Sequence, residues 1–379
     1  MKVTLPRKSL HEAVGIVGRA VSGRNPLPIL SHILISADTD GIRLVGTDLE
    51  LGITCTIPDS AWVLEPGSLT CPTKTLSEVL ANLPGGDDVT LSVKKDVVHV
   101  QGAGSKSDFK INGLPAEEFP QLPVNETGTI ITVAQSTLKE MIRQVGFATS
   151  KDDARAILTG ILLTYEGGRL RLIATDTHRL AVRELCLPDD LVDPIKAIIP
   201  SRAISELSNL LTAAEGDVQI SFGYNQVTFL LPGDRGIQVQ TRLIEGQYPN
   251  FERVIPKDHN RKLTMNTDEL RQAVKRAMIV ARENASRIVF STTERENLLL
   301  SAQSSTVGNA QEQVSVVTEG EPVEMGFNGK YLLDLLAVVD TESVQFELTD
   351  ALRPALVRPV ALNGPDMSYL CVVMPMAIG

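Results

Sequence analysis

The sequence predicts an α+β protein made of three tandem copies of one domain, because two sets of helical patterns recur at nearly constant spacing. The first set begins at Leu10, Leu138 and Leu270, and the second begins at Leu76, Ile204 and Leu332. Both sets therefore repeat with a period of about 130 residues, which is that of a whole domain and exceeds the repeat of any solenoid.

Each helix is predicted from apolar residues at positions i, i+3, i+4 and i+7, which lie on one face of a helix. In the first helices these are Leu10, Ala13, Val14 and Val17; Leu138, Met141, Ile142 and Val145; and Leu270, Ala273, Val274 and Ala277. In the second helices they are Leu76, Val79, Leu80 and Leu83; Ile204, Leu207, Ser208 and Leu211; and Leu332, Leu335, Leu336 and Val339. The middle copy is the weakest of the second set because Ser208 is polar.

Three short patterns predict where helices begin. Thr137 with Glu140, and Thr75 with Glu78, have the spacing of a capping box, in which the threonine side chain accepts from the backbone. Asn266 followed by Glu269 is a looser variant of the same signal.

Strands fill the rest of each copy. Runs with period-two alternation, such as DVTLSVKKDVVHV, predict half-buried antiparallel hairpins. Hairpins of copies one and two end in Thr-Asp, at Asp48 and Asp176, and copy three lacks this ending. The copies close on Leu122-Pro123, Ile255-Pro256 and Met374-Pro375, which predicts domains at residues 1–125, 126–256 and 257–379. Two helices per domain predict all helices on one side and the antiparallel sheets on the other.

Composition indicates a cytoplasmic protein with reduced thiols. No apolar run reaches the roughly 20 residues of a membrane span, and the N-terminus lacks the apolar stretch of a signal peptide. The four cysteines are scattered, without a CxxC pair, so neither a disulfide framework nor a zinc site is predicted. The net charge is −10, yet the first helices (8–20, 137–148 and 268–283) hold eight basic and five acidic residues. A basic helix set is expected if it faces phosphate, and a solvated helix face is the alternative.

Head-to-tail copies can close a ring, and the size of its hole depends on the number of helices lining it. Six helices spaced by about 10 Å leave a bore of about 9 Å, which is narrower than a DNA major groove. Twelve helices leave about 28 Å by the same arithmetic. Two copies of this chain are therefore wide enough to surround a duplex, whereas one copy is not.

Five segments, in order along the whole chain, carry a resemblance to a known family. They are GRNPLPIL at 23–30, ATDTHRLAV at 174–182, GQYPNFERVIP at 246–256, GFNGKYLLDLL at 326–336 and YLCVVMPM at 369–376. The chain resembles the bacterial DNA polymerase III β subunit family of sliding clamps. The resemblance implies DNA-clamp-type domains in a head-to-tail dimeric ring, with helices inside and sheets outside, that encircles duplex DNA. It also implies four partner classes: the replicative DNA polymerase, a clamp loader, other proteins with clamp-binding motifs, and a second copy of the chain.

The resemblance further implies a groove for partner peptides near the junction of domains two and three. Its residues would be Leu158, Thr175, Thr177, His178, Arg179, Leu180, Pro249, Arg253, Val254, Val372, Val373, Met374, Pro375 and Met376. Basic positions near the duplex would be Arg24 and Arg202, and the dimer contacts would be Phe109 and Ile111 with Ile279 and Val280. The chain departs from some relatives at Ala156 and Ile157, where those have aromatic residues, and its third-domain loop carries a single acid, Glu312.

Other functions remain as alternatives at this stage. A peptide-binding scaffold that does not encircle DNA would use the same groove. An enzyme would need a complete set of catalytic groups, and His178 near Asp176 lacks both a nucleophile and a metal. No GxSxG, HExxH or P-loop spacing occurs, so no enzymatic activity, cofactor or metal is predicted.

Overall fold

The structure is a computed structural model that describes residues 1–22, 27–39, 41–58, 62–84, 86–123, 129–188, 193–294 and 296–378. These residues form two compact units, each made of two stretches of chain. Unit one holds residues 1–139 and 202–243, and unit two holds residues 140–201 and 244–379. Among the described residues, every helix is too short or too polar to cross a membrane.

Six α-helices occur in the described residues, two in each predicted copy. They are α1 (Arg7–Val17), α2 (Thr73–Asn82), α3 (Gln135–Gly146), α4 (Ser201–Leu210), α5 (Thr267–Ala281) and α6 (Gly329–Leu336). All four predicted core positions are buried in each of the first helices α1, α3 and α5. Among the second helices, Val79 and Ser208 are only partly buried, and the other predicted positions are buried. The helical faces predicted from apolar spacing are thus confirmed.

Two of the three predicted helix starts are wrong. Helix α3 begins at Gln135 and α2 begins at Thr73, so Thr137 and Thr75 lie inside the first turn. The chain enters α2 directly from a strand through Pro72, which offers no side-chain cap. The Asn266 cap is confirmed, since its Oδ1 accepts from the amides of Asp268 and Glu269, both at 3.0 Å.

Unit one contains two antiparallel sheets. The first has the order β5-β1-β7-β8-β9. Its strands are β1 (Lys2–Pro6), β5 (Trp62–Glu65), β7 (Asp88–Lys94), β8 (Val97–Gly102) and β9 (Asp108–Asn112). The second has the order β10-β15-β16-β17-β4-β3-β2-β6. Its strands are β2 (His32–Asp38), β3 (Gly41–Thr47), β4 (Leu51–Ile57), β6 (Gly67–Pro72), β10 (Thr129–Ala134), β15 (Asp217–Phe222), β16 (Gln226–Leu230) and β17 (Gln238–Arg242).

Unit two contains one continuous antiparallel sheet, with the order β14-β11-β12-β13-β26-β24-β23-β18-β21-β20-β19-β22 and β25 beside β24. From domain two come β11 (Gly160–Glu166), β12 (Arg169–Thr175), β13 (Arg179–Cys186) and β14 (Ile195–Pro200). The third copy adds β18 (Arg261–Asn266), β19 (Arg287–Glu294), β20 (Asn297–Ser304), β21 (Gly308–Glu319), β22 (Glu324–Asn328), β23 (Ser343–Leu348), β24 (Ala355–Ala361), β25 (Gly364–Pro365) and β26 (Tyr369–Val373).

Both units contain a seam at which strands from successive copies pair. In unit one the seam is β4 with β17, and in unit two it is β13 with β26. Helices pack on these sheets, α1 against β3 and β4 and α5 against β20 and β21, so the cores lie between helices and sheet. The domain boundaries at 125/126 and 256/257 stay predictions, because each compact unit combines parts of two predicted domains.

Candidate peptide groove and domain junctions

The Thr-Asp endings of copies one and two form the same turn. Asp48 Oδ1 accepts from the amides of Glu50 and Leu51, at 3.1 and 2.9 Å. Asp176 Oδ1 accepts from the amides of His178 and Arg179, both at 3.0 Å. An aspartate that bonds to amides two and three residues ahead stabilises a tight turn.

The backbone of both turns is the same as well. The third residue of each turn has a positive φ, 81° at Leu49 and 79° at Thr177. The Glu50 carbonyl accepts from the amide of Arg242, the last residue of β17, at 3.0 Å, and the His178 carbonyl accepts from the amide of Met374, just beyond β26, at 2.8 Å. Leu51 lies opposite Thr241, as Arg179 lies opposite Val373. The two seams therefore repeat one register.

Arg179 occupies the centre of the unit-two junction. Its Nε donates to Asp176 at 3.0 Å, and its Nη1 donates to Asp334 on α6 at 2.6 Å. The guanidinium lies over the rings of Tyr331 and Phe147, at 4.5 and 5.2 Å from their centroids. Because Arg179 is buried and both carboxylates are committed to it, its charge holds α6 to the turn and is not free for a ligand.

The floor of the candidate groove is the seam between β13 and β26. Leu180 and Val372 lie opposite each other there, and both belong to a buried apolar cluster. The remaining buried members are Leu162, Ile173, Val182, Ile198 and Leu356. The segment from Ile244 to Ile255 crosses this cluster, with the side chains of Tyr248 and Phe251 packed on it.

The rim of the groove is exposed and adaptable. Met374 is 36% exposed and Val254 is 46% exposed, whereas Val373 and Leu158 are buried. Pro249 and Arg253 are exposed on the same crossing segment as Val254. Flexible apolar side chains above an apolar floor suit a short peptide whose apolar residues change from one partner to another.

The polar end of the groove is the turn itself. Thr177 and His178 are exposed, and Thr175 is partly buried with its hydroxyl donating to the Arg179 carbonyl at 2.6 Å. The His178 ring stacks on Tyr331 with 6.2 Å between centroids. Pro375 and Met376 are half-buried beyond the strand, and the Met376 amide donates to the Gly326 carbonyl at 2.8 Å.

The structure gathers further residues at this site that the sequence analysis did not assign to it. Arg155 Nη1 donates to the Thr177 hydroxyl at 3.2 Å, and Ile157 packs on the apolar cluster. Tyr331 and Asp334 are three residues apart on α6, a spacing that puts both on one face, but nothing in the sequence ties that face to the Asp176 turn.

A concavity lies beside the crossing segment. It has a volume of about 160 Å³, with a floor of Val182 and Leu370 and walls that include Phe251 and Ile255. Arg171 and Glu184 lie at its rim, where the Arg171 Nε donates to Glu184 at 2.6 Å. The 3-10 helix Phe251–Val254 thus contributes Phe251 to this concavity.

The residues assigned to DNA and to the dimer are placed as follows. Arg24 lies outside the described residues. Arg202 is exposed at the start of α4 and donates to Asp48 Oδ2. Phe109 is 38% exposed and Ile111 is buried on β9. Ile279 is 66% exposed on α5, and Val280 next to it is half-buried.

Asp176 and His178, the pair beside the groove, both take part in structural contacts. Asp176 is engaged by its own turn and by Arg179, while His178 contributes backbone groups to the turn and its ring to a stack. Within the described ranges, no cluster of three or more metal-binding side chains occurs. Burial raises the pKa of Cys371, below the groove, to about 12, so this thiol is not a nucleophile near neutral pH.

Two junctions with the same strand register define a protein built from repeated domains, and comparisons with known proteins give the family. Profiles of the DNA polymerase III beta subunit match along the chain: the N-terminal domain at residues 1–123, the central domain at 132–250 and the C-terminal domain at 252–377. The chain belongs to the DNA polymerase III beta subunit family.

Relatives match over almost the full length. The beta sliding clamp of Bacillus subtilis strain 168 is 34% identical, with 94% of this chain and 96% of that protein covered. The beta sliding clamp of Pseudomonas aeruginosa is 33% identical over the whole of both chains. The crystal structure of the Bacillus subtilis DNA polymerase sliding clamp is similar over the whole of both chains, with a TM-score of 0.94 at 32% identity.

Proposed function

We propose that this chain is a DNA sliding clamp, a processivity factor that encircles duplex DNA as a head-to-tail dimer and tethers the replicative polymerase. Family membership and the full-length match to beta sliding clamps support this function. The main support for a ring is the repeated seam, because the same strand register joins copies one and two and also joins copies two and three.

A third seam between two chains would continue this series. The two strands that correspond to the seam strands, β9 in copy one and the first part of β21 in copy three, each have one free edge among the described residues. Strand β9 corresponds to β17, and the first part of β21 corresponds to β4 and β13. Pairing in the register of the two seams would place Ile111 opposite Gly308 of a second copy, and Lys110 opposite Asn309. Free strand edges are ready templates for pairing, and head-to-tail pairing closes a ring when the rotation allows it.

The side chains near these edges suit a dimer contact. Phe109 and Ile111 are two residues apart on β9, so their side chains lie on the same face of the strand, and Ile111 is buried there. Ile279 is an exposed apolar residue on α5, which packs against β21. A seam between β9 and β21 would cover the side chains of Phe109 and Ile279, whose exposure to water is otherwise unfavourable.

The groove over the β13 and β26 seam is the proposed docking site for partner peptides. The fourteen residues named above would line it, with Met374 and Val254 as movable apolar walls. The polymerase, a clamp loader and other proteins with clamp-binding motifs are the proposed partners. Such contacts are few, so each partner would bind weakly and exchange readily.

Phosphate contacts would come from Arg24 and Arg202. Because the net charge is −10, direct affinity for short linear duplex is expected to be weak and to fall with salt. The protein would then be retained on DNA because its closed ring surrounds the duplex. We assign no enzymatic activity or cofactor to the chain, and we place it in the cytoplasm, away from the membrane.

Retention on DNA of different topology tests this function. Protein assembled on a nicked circular plasmid is separated by gel filtration, and half of the sample is cut once with a restriction enzyme. A sliding clamp stays with the circle and is lost from the linear product. A peptide-binding scaffold, the alternative function, would give the same retention on both.

A further inference from the structure

The junctions inside the chain are closed by charge as well as by strand pairing. In unit one, Asp48 Oδ2 accepts from Arg202, which begins the second helix of the following copy. In unit two, Asp176 and Asp334 share Arg179, and Asp334 lies on the second helix of the following copy. At each junction a guanidinium thus ties the turn aspartate to the next copy's second helix. We call this arrangement the clasp.

The clasp carboxylates are sheltered from water. The side chains of Asp48 and Asp176 are 7% and 14% exposed. One oxygen of each closes its own turn and the other holds the guanidinium. An ion pair that is partly desolvated and charge-assisted is stronger than an exposed one.

The third copy has lost the carboxylate. Ser304 occupies the position in copy three that Asp176 occupies in copy two, and its Oγ accepts from the amides of Thr306 and Val307, both at 3.2 Å. These are again amides two and three residues ahead, so Ser304 takes over the turn-closing role. Ser304 is buried. A hydroxyl has no second oxygen and no charge with which to hold a guanidinium.

The residue that would face Ser304 differs from its counterpart at the first junction, Arg202. Helices α2, α4 and α6 begin at Thr73, Ser201 and Gly329, and aligning these starts places Lys74 at the position of Arg202. Lys74 is exposed in the single chain. In a head-to-tail pair built on the same register, Lys74 of the second copy would approach the Ser304 turn and meet no carboxylate there.

Another position differs among the three copies in how it supports the junction. Arg19, Phe147 and Ile279 each follow the first core leucine of their copy by nine residues. Arg19 bonds Glu206 at 3.0 Å, and Phe147 supports the Arg179 guanidinium. Ile279 has no charge and is 66% exposed. Ile279 thus has neither the charge of Arg19 nor the aromatic ring with which Phe147 supports a guanidinium.

We propose that the seam between two copies is the one junction built without the clasp, and that Ser304 is the residue that leaves it out. The seam between chains then lacks the ionic tie that both junctions within the chain have. It separates more readily than either junction within a chain. This inference rests on the proposed dimer.

Installing the clasp tests the proposal. The full chain is prepared as Ser304→Asp, Lys74→Arg and the double variant, and subunit exchange is followed by energy transfer between donor-labelled and acceptor-labelled dimers. The double variant should exchange about tenfold more slowly than the unaltered chain, with the gain exceeding the sum of the single effects. Ser304→Asp combined with Lys74→Glu should exchange faster than the unaltered chain, because like charges would then meet.

Lys330→Arg is the matched control, since Lys330 occupies the equivalent position at a junction within the chain. It should leave the exchange rate unchanged. Equal exchange rates in the double variant and the unaltered dimer would overturn the clasp proposal while leaving the dimer in place. Absence of any dimer in the unaltered chain would instead refute the proposed function.

A second measurement covers the case in which Ser304→Asp does not fold. Asp48→Asn removes the clasp of the first junction and keeps an oxygen for the turn. Hydrogen exchange of the β4 and β17 amides should then become faster, and the β13 and β26 amides should stay unchanged. Equal protection of β4 and β17 in both proteins would contradict a stabilising role for the clasp.

Discussion

Met374 offers the sharpest test of the peptide groove, because its exposed part can be converted into an expected loss of affinity. The residue is 36% exposed in the free chain, so about a third of its apolar surface remains for a ligand to cover. Full burial of a methionine side chain is worth about 1.5–3 kcal/mol. A third of that is about 0.5–1 kcal/mol, which corresponds to binding weaker by about two- to fivefold in Met374→Ala.

The assay is fluorescence anisotropy with a labelled peptide that carries the clamp-binding segment of the replicative polymerase from the same organism. Met367→Ala is the matched control, because Met367 is 74% exposed and lies outside the fourteen groove residues. It should change the dissociation constant by less than about twofold. Unaltered affinity in Met374→Ala, or an equal loss in both variants, would refute the placement of the groove. Thermal melting of each variant separates a local effect from unfolding.

Three further predictions follow from particular contacts. Burial raises the pKa of Cys55 to about 11 and those of Cys71 and Cys371 to about 12, whereas Cys186 is exposed. At pH 8 one thiol per folded chain should therefore react with a disulfide reagent, and all four should react in denaturant. Rapid reaction of two thiols in the folded chain would contradict this burial. In urea titrations, Asn266→Ala should lower the free energy of unfolding by about 1 kcal/mol, because it removes the α5 cap. Thr137→Ala, inside α3, should change this free energy by less than about 0.5 kcal/mol. Equal losses in the two variants would support a capping box at Thr137. Arg179→Lys should destabilise unit two by about 1–3 kcal/mol, because a lysine cannot hold Asp176 and Asp334 together, and a denaturation curve identical to that of the unaltered chain would rule out this bridge.

The helical faces were predictable because burial enforces the 3.6-residue period, as the buried positions of α1, α3 and α5 show. The two misplaced caps have a physical origin. Strands β6 and β10 run straight into α2 and α3, so these helices begin two residues before the threonines that fit the capping pattern. Tertiary continuity between strand and helix overrides a local signal of about 1 kcal/mol.

The candidate site was predictable only through the family resemblance. Leu180 and Val372 belong to different copies, far apart in the sequence, and meet because β13 pairs with β26. No local sequence pattern predicts that strands of different copies pair. The clasp is a similar case, since Asp48 and Arg202 each look like ordinary surface charges until the fold brings them together.

If two copies close around DNA, a covalent link across the seams between them should lock the ring on a circular plasmid. Lys110→Cys and Asn309→Cys place exposed thiols opposite each other in the proposed seam, with Cys186→Ser to remove the native exposed thiol. Copies are assembled in the presence of a nicked circular plasmid and joined with a short bismaleimide. Covalently closed dimers are expected to stay with the circle in sodium dodecyl sulfate and to leave it once the plasmid is cut. Cross-linked dimers that dissociate from the intact circle in detergent would contradict encirclement.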